Sequence, residues 1–271
     1  MSADVETVAV RERPAPVRAV RDTFALMQRN LIAYRRVPQL LVFSTIQPVI
    51  FVVMFRYVFG EAITVPPPFT YVDFLMPGIF VQTVVFGAIA TAIGLATDMK
   101  SGLMERFQSL PMARSAVLAG RTFADLARNV FVVLLMIAVG YLVGFRIHNG
   151  VLGLVAGIVV LLLFGYAMSW IFATVGLAVG DPETAQAAAF PLLAPLVFAS
   201  SLFVPAEEMV GWLQPWANHQ PVSVTAKAVR YFVLGDTDLG HLSDVWESLA
   251  WVAAILIVFV PFAVRRYRRA V

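Results

Sequence analysis

Residues 147–180 read IHNGVLGLVAGIVVLLLFGYAMSWIFATVGLAVG, thirty-four consecutive positions without one Asp, Glu, Lys or Arg. The hydrocarbon core of a bilayer is about 30 Å thick, and an α-helix rising 1.5 Å per residue needs ~20 mostly apolar residues to cross it. The apolar residues here run continuously rather than in steps of two, which specifies a membrane helix and not a strand of an outer-membrane barrel. A helix over 151–179 would measure roughly 43 Å, so it must tilt or protrude.

Working outward, five more charge-free runs occupy 37–55, 74–97, 129–145, 184–206 and 248–264, and with the first they hold 134 of the 271 residues. Charged residues make up 14% of the chain and hydrophobic ones 60%, with a mean hydropathy of +0.81. Soluble domains carry about 25% charged residues and ~45 to 50% apolar ones, so the composition argues against a soluble globular enzyme. The expected fold is an all-α membrane protein with six transmembrane helices, at 39–59, 71–96, 129–145, 151–179, 185–204 and 248–264. Prolines fall inside several of them, at Pro48, Pro77, Pro191, Pro195 and Pro261. One membrane domain covers 17–271, and residues 1–16, which mix Pro, charge and small side chains without period, read as a disordered cytoplasmic leader.

The basic residues alternate between the two sides of this layout. Arg11, Arg13, Arg18, Arg21, Arg29, Arg35 and Arg36 precede the first span. Lys100, Arg106, Arg114, Arg121 and Arg128 lie between the second and third, and Arg265, Arg266, Arg268 and Arg269 follow the sixth. These are 16 of the 20 Lys and Arg residues, and the positive-inside rule puts both termini in the cytoplasm, with the chain in the cytoplasmic membrane. Basic clusters beside membrane spans serve topology rather than nucleic acid. The arginine-rich start has no short apolar core after it, so no cleavable signal peptide is expected. The chain has no cysteine, which removes disulfides and thiolate chemistry.

Within 17–36, Val20, Phe24, Met27, Leu31 and Tyr34 share an arc of ~80° at 100° per residue, with Arg18, Arg29 and Arg36 opposite. That pattern describes an amphipathic interfacial helix in the inner headgroup layer; the same face would also suit packing on a protein surface. The spacings Gly140 to Gly144, Gly153 to Gly157 and Gly176 to Gly180 are expected to let helices approach closely within the bundle. In the turn after the fourth span, Asp181 or Thr184 can cap the next helix.

No catalytic constellation is present. There is no GxxxxGK[ST] phosphate loop and no HExxH, and His148, His219 and His241 are scattered over the outer loops. Glu207 and Glu208 are adjacent, so they do not face a common substrate. No catalytic, cofactor-binding or metal-binding residue is therefore expected in this chain. Midspan polarity is neutral, at Ser44, Thr45, Gln47, Gln82, Thr83, Ser169, Thr174, Ser200 and Ser201. Helix-to-helix hydrogen bonding accounts for such residues; contact with a transported compound is the alternative, for which Gln47, Gln82, Thr83, Ser200 and Ser201 are the candidates. Ion-coupled carriers need ionisable side chains inside the membrane. Spans free of charge suit a hydrophobic cargo driven by energy supplied elsewhere.

Two loops stand out. In the cytoplasmic segment 98–111, Leu103, Phe107 and Leu110 recur at i, i+4 and i+7, with Glu105 and Arg106 on other faces, and Pro111 ends the helix. A short exposed helix of this kind can dock into a soluble partner or rest on the membrane. In the outer segment 205–235, Trp212 and Trp216 are interleaved with Pro215, Asn218 and Pro221, which breaks the segment too often for a seventh span and suggests short re-entrant helices. Pro221 can open a helix that runs to Gly235.

In this order of parts the chain resembles the membrane subunit of ABC type-2 exporters, nearest the daunorubicin/doxorubicin-resistance permease branch. The resemblance rests on Gly102, Glu105, Arg106, Phe107 and Leu110-Pro111-Met112 after the second span. It rests equally on the outer Asn218-His219-Gln220-Pro221 with Ala226, Val229 and Arg230, and it extends from Val17 to the C-terminus. The family's turn reads Asn-Pro, and here His219 and Gln220 interrupt it. The resemblance implies pairing with a second permease as a homodimer or heterodimer, and two copies of an ATP-binding subunit that hold ATP and Mg. It assigns the coupling helix to 98–111, from Asp98 through Gly102 to Pro111, and an exit cap to 205–235. Spans one, two and five are expected to line the dimer interface and the route. The implied function is ATP-driven export of a hydrophobic or amphipathic drug, antibiotic or lipid-like metabolite, the alternative cargo being a polysaccharide or lipid-linked glycan. An intramembrane lipid enzyme would need ionisable residues at one membrane depth, which only Asp73 and Arg56 approach; a non-transporting scaffold is the remaining rival.

Overall fold

The computed structural model describes residues 15–36, 38–103 and 114–269. Among them the regular structure is helical: α1 (Ala15–Arg36), α2 (Pro38–Met54), a π-helical turn (Phe55–Phe59), α3 (Tyr71–Lys100), α4 (Arg114–Leu142) and α5 (Gly150–Val179), then α6 (Pro182–Phe198), a 3-10 turn (Ala206–Glu208), α7 (Gln214–His219), α8 (Pro221–Leu234) and α9 (Leu242–Arg269). Four of these, α3, α4, α5 and α9, contain stretches long and apolar enough to cross a membrane, and the shorter apolar helix Ser44–Phe59 falls within α2 and its π-helical extension. The chain is an all-α, multi-pass membrane protein.

Local chemistry sets the helix ends. Thr70 and Asp73 form a reciprocal capping box at the start of α3. Asp181 accepts from the Thr184 backbone N–H at 3.1 Å and caps α6, in keeping with its position in the turn. Pro221 opens α8, which ends at Gly235. The charge-free run at 147–180 folds as the single helix α5, 30 residues long.

Several expected boundaries move. The third span begins at Arg114 and not at 129, so Arg114, Arg121 and Arg128 belong to a helix rather than a cytoplasmic loop. Arg121, Asp125 and Arg128 sit at i, i+4 and i+7 on one face, and Val117, Leu118 and Ala124 are buried beside them on the same side of the helix. A search for charge-free runs cannot see a helix whose charges share one stripe. At the other end of the chain, α9 starts at Leu242, where the run suggests 248. The helix at the expected fifth span stops at Phe198 instead of 204, because the backbone turns at Ala199 and the Ser201 N–H is taken by Ser223 Oγ at 2.9 Å.

Helix α3 is the centre of the bundle. Every residue from Tyr71 to Val85 is buried, and α4, α5, α6 and α8 all pack on it. Small residues bring these helices close: a side chain on Gly176 would overlap the Ala92 carbonyl, and one on Gly153 the Phe232 carbonyl. The close approach expected of these glycines is thus within the chain, whereas Gly144 and Gly180 serve turns, with φ of +104° and +73°. Thr83, Ser169 and Thr174 donate to carbonyls four residues back in their own helices, at 2.7 to 3.0 Å, and not across to neighbouring helices.

Helix α1 lies against α4. Leu26 and Asn30 are buried there, with Leu26 Cβ close over Gly120. Val20 and Phe24 on the adjoining flank stay exposed. The helix therefore packs on the protein along one edge and keeps part of its apolar face outward. Large apolar side chains are also exposed along α2 (Val42, Ile46, Ile50) and α6 (Phe190, Leu192).

Candidate functional site

A cavity of about 380 Å³ opens between α2, α3 and α4, within the size range of small-molecule sites. Gln47 from α2 and Gln82 and Thr83 from α3 line it, so three of the five polar residues singled out in the sequence meet in one place. Ser200 and Ser201 do not. They sit buried in the turn after α6, where Ser201 is bound to α8. A second depression shares Gln47, Phe86, Ile89 and Ile93 with the first and extends it to Gln186 and Phe190 on α6. The combined hollow thus reaches from the exposed face between α2 and α6 into the bundle.

The far wall is one that the charge-free runs do not reveal. It carries Arg121, Arg128 and Asn129 of α4. Arg128 is the midpoint of that helix and 7% exposed. Its Nη2 donates to the Gly87 carbonyl at 2.6 Å and to Asn129 Oδ1 at 3.2 Å. One heptad away, Arg121 donates to the Ala90 carbonyl at 2.9 Å and lies 3.6 Å from the fully buried Asp125 carboxylate, which accepts from Thr91 at 2.5 Å.

The two helices match in register. Gly87 and Gly94 stand seven residues apart on α3, and Arg128 and Arg121 seven apart on the antiparallel α4. A Cβ on Gly94 would strike the Arg121 guanidinium, and one on Gly87 would meet Arg128 Nη2 at 2.8 Å. Each glycine is a notch that admits a guanidinium between the helices and leaves a backbone carbonyl within reach. The signal is present in the sequence as glycines and arginines with the same spacing of seven; only their pairing gives it meaning. The expectation that span interiors hold no charge is therefore corrected: the stripe of Arg121, Asp125 and Arg128 is inside the bundle.

At the opposite end Arg230 of α8 is 1% exposed. It donates to the carbonyls of Phe74, Ser201 and Leu202 at 3.0, 2.8 and 3.2 Å, and its guanidinium lies 3.7 Å from the Phe74 ring centroid. This clamp joins α8 to α3 and to the turn after α6. Before α8, Trp212 and Trp216 are exposed and Asn218 accepts from Lys227 at 2.8 Å.

At the C-terminal end of α3, Asp98 and Lys100 form its last turn and not the start of a separate helix. Gly102 follows with φ +66°, a left-handed conformation that suits glycine at a helix end. Asp98 pairs with Arg29 of α1 at 3.0 Å, and Lys100 with Asp181 at 2.7 Å. The Lys100 ammonium, followed by hydrogen bonds from Thr184, holds the Asp181 carboxyl down at about 2. Of the expected coupling residues, Asp98, Gly102 and Leu103 are placed; Glu105, Arg106, Phe107, Leu110 and Pro111 lie outside the described residues.

A bundle of long apolar helices around a polar-walled cavity defines the class as a membrane transport protein. Comparison with known proteins fixes the family. Residues 21–234 match the ABC-2 type transporter model. The chain is 36% identical over 269 residues to a daunorubicin resistance ABC transporter permease protein of Streptomyces coeruleorubidus, covering 99% of this chain and 94% of that one. It is 29% identical to a probable doxorubicin resistance ABC transporter permease protein of Mycobacterium tuberculosis (93% and 90% covered), and 24% identical to a putative transport permease of Cyanophora paradoxa (89% and 85%). The chain belongs to the ABC-2 type transporter family, as a permease subunit that works with an ATP-binding partner.

Proposed function

We propose that this permease exports hydrophobic or amphipathic compounds of the drug and antibiotic type from the cytoplasm. The observation that carries the reading is the hollow between α2, α3, α4 and α6, large enough for a small molecule and reached from an exposed apolar face. The relatives named for daunorubicin and doxorubicin resistance support the same cargo class. In this reading the chain crosses the cytoplasmic membrane six times, α2 and α6 completing the set, with both termini inside. It pairs with a second permease through the exposed faces of α2 and α6, and the pair carries two ATP-binding subunits that supply ATP and Mg. Helix α1 rests in the inner headgroup layer on its Val20 and Phe24 flank, and 205–235 forms re-entrant helices over the exit.

The mechanism follows from the continuity of α3. Segment 98–111 engages the ATP-binding subunit, and the rigid helix running outward from Lys100 carries Gln82 and the glycine notches in the cavity wall. Closure of the ATP-binding subunits pushes the inner end of α3 and shifts that wall against α2 and α4, so that the cavity alternates between inward and outward access. Replacing Leu103 or Phe107 with Asp is expected to abolish ATP-dependent export of a fluorescent drug from proteoliposomes, with membrane insertion unchanged. Normal export by both variants would refute the coupling assignment. Co-purification separates the rivals: transport requires a stoichiometric soluble ATPase, which an intramembrane enzyme or a scaffold does not.

A further inference from the structure

Placing an arginine at the middle of a membrane helix costs several kcal/mol, and such residues face a cavity or a partner and mark transport paths. Arg128 occupies that position, and with Arg121 it contributes the charged groups of the cavity lining; among the described residues no acidic side chain lines it. Asp125 is fully buried behind the wall, next to Arg121 and Thr91. The cavity surface is thus cationic on one side and apolar on the other.

One further side chain, Gln82, points to a bound group. Gln82 is 1% exposed and lines the cavity, yet its Oε1 has no hydrogen-bond partner among the described residues; Asn129, 2% exposed, is in the same state at Nδ2. Buried polar atoms are normally paired, because each unmet one costs about 1 to 3 kcal/mol. Once the Gln82 side chain rotates, a ligand in the cavity can satisfy its Oε1, whereas Asn129 Nδ2 lies against Gly165 of α5. We infer that the Gly87/Arg128 and Gly94/Arg121 notches form a recognition subsite for an anionic oxygen group, a carboxylate or ionised phenol, on an otherwise apolar cargo. The guanidinium groups take the anion in charge-assisted hydrogen bonds, which are shorter and about twice as strong as neutral ones. Gln82 Oε1 takes a donor on the same molecule, and Phe86 and Ile89 hold its apolar body. The glycines are part of the site, since any side chain there would expel the guanidinium. This rests on the export reading and deepens it by naming the charge class its cavity selects.

The test compares two fluorescent molecules of one shape and opposite charge, pyrenebutyrate and pyrenebutylamine. Binding is measured to the nucleotide-free permease with its ATP-binding partner, in zwitterionic nanodiscs with empty-disc partition subtracted. The acid is expected to bind about tenfold or more tightly than the amine, with Arg128→Gln erasing the preference and Arg128→Lys keeping most of it. Equal affinities in the wild type, or an amine preference, would overturn the proposal whatever the variants do. So would a folded Arg128→Gln protein that still prefers the acid. Adding phosphatidylglycerol distinguishes the source of the anion: displacement of the probe identifies an acidic lipid as the occupant, and no displacement identifies a free compound. Because the readout is binding, failure of the export reading, seen as no ATP-dependent export of the fluorescent drug by the wild type in proteoliposomes, is scored separately.

Discussion

Arg230 and Arg128 are both buried guanidinium groups, and the bundle treats them in opposite ways. Arg230 is enclosed by three carbonyls from two segments and by an aromatic face. Every contact ties elements together, and it lines neither part of the hollow between α2, α3, α4 and α6. Arg128 rests in a glycine notch with one face toward a cavity. The cost of removing a guanidinium from water is met around Arg230 by closure, which gives rigidity. Midway along α4 it is met by a neighbouring carbonyl and amide, with space left beside the charge. Burial of a charge identifies neither role by itself; the volume next to it does.

That contrast can be broken. Arg230→Met is expected to have the largest effect, since it removes the donor shared by three buried carbonyls. It should destabilise the solubilised protein by about 3 to 5 kcal/mol, read as a lower thermal midpoint and less inserted protein, and Arg230→Lys should recover only part because an ammonium lacks the planar fork. Wild-type stability in Arg230→Met would erase the distinction. An intermediate effect is expected for Thr91→Val. It removes the donor to the buried Asp125 carboxylate and should lower the thermal midpoint by the equivalent of about 1 to 3 kcal/mol, while the acid-over-amine preference persists because Arg128 is untouched. Loss of that preference would show that Asp125, rather than Arg128, organises the wall.

The smallest effect is expected at the exposed Lys100–Asp181 pair, where solvent screens the charges. The Asp181 carboxyl is held at about 2, below its ordinary 3.8, so its contribution is complete above the ordinary value and is lost as pH falls toward 2. Thermal midpoints of the wild type and Asp181→Asn should therefore differ by a small, constant amount from pH 5 to 8 and converge below about 4. A difference that grows between pH 5 and 8 would contradict this origin.

Much of the fold is legible in the linear sequence. The charge-free run at 147–180 forms α5 with almost unchanged ends, and Asp181, Pro221 and Gly235 mark helix boundaries through their own backbone chemistry. The candidate site is less so, since Gln47, Gln82 and Thr83 stand in the sequence only as three separate polar residues. Ser200 and Ser201, which read alike there, belong to the turn after α6, where the Ser201 carbonyl meets Arg230. The start of α4 is hidden because Arg121, Asp125 and Arg128 interrupt the chain as charges, although they form one stripe along a helix.

The sequence by itself determined that this is a helical membrane protein, because apolar runs of membrane length have only one way to satisfy their backbone polar groups in lipid. The tertiary structure decided which charges lie inside. A guanidinium can be buried only where a neighbouring helix offers room and an acceptor, and Gly87 and Gly94 offer both to Arg128 and Arg121 only when α3 and α4 pair in one register. That register is a property of two helices together, and no stretch of either sequence contains it.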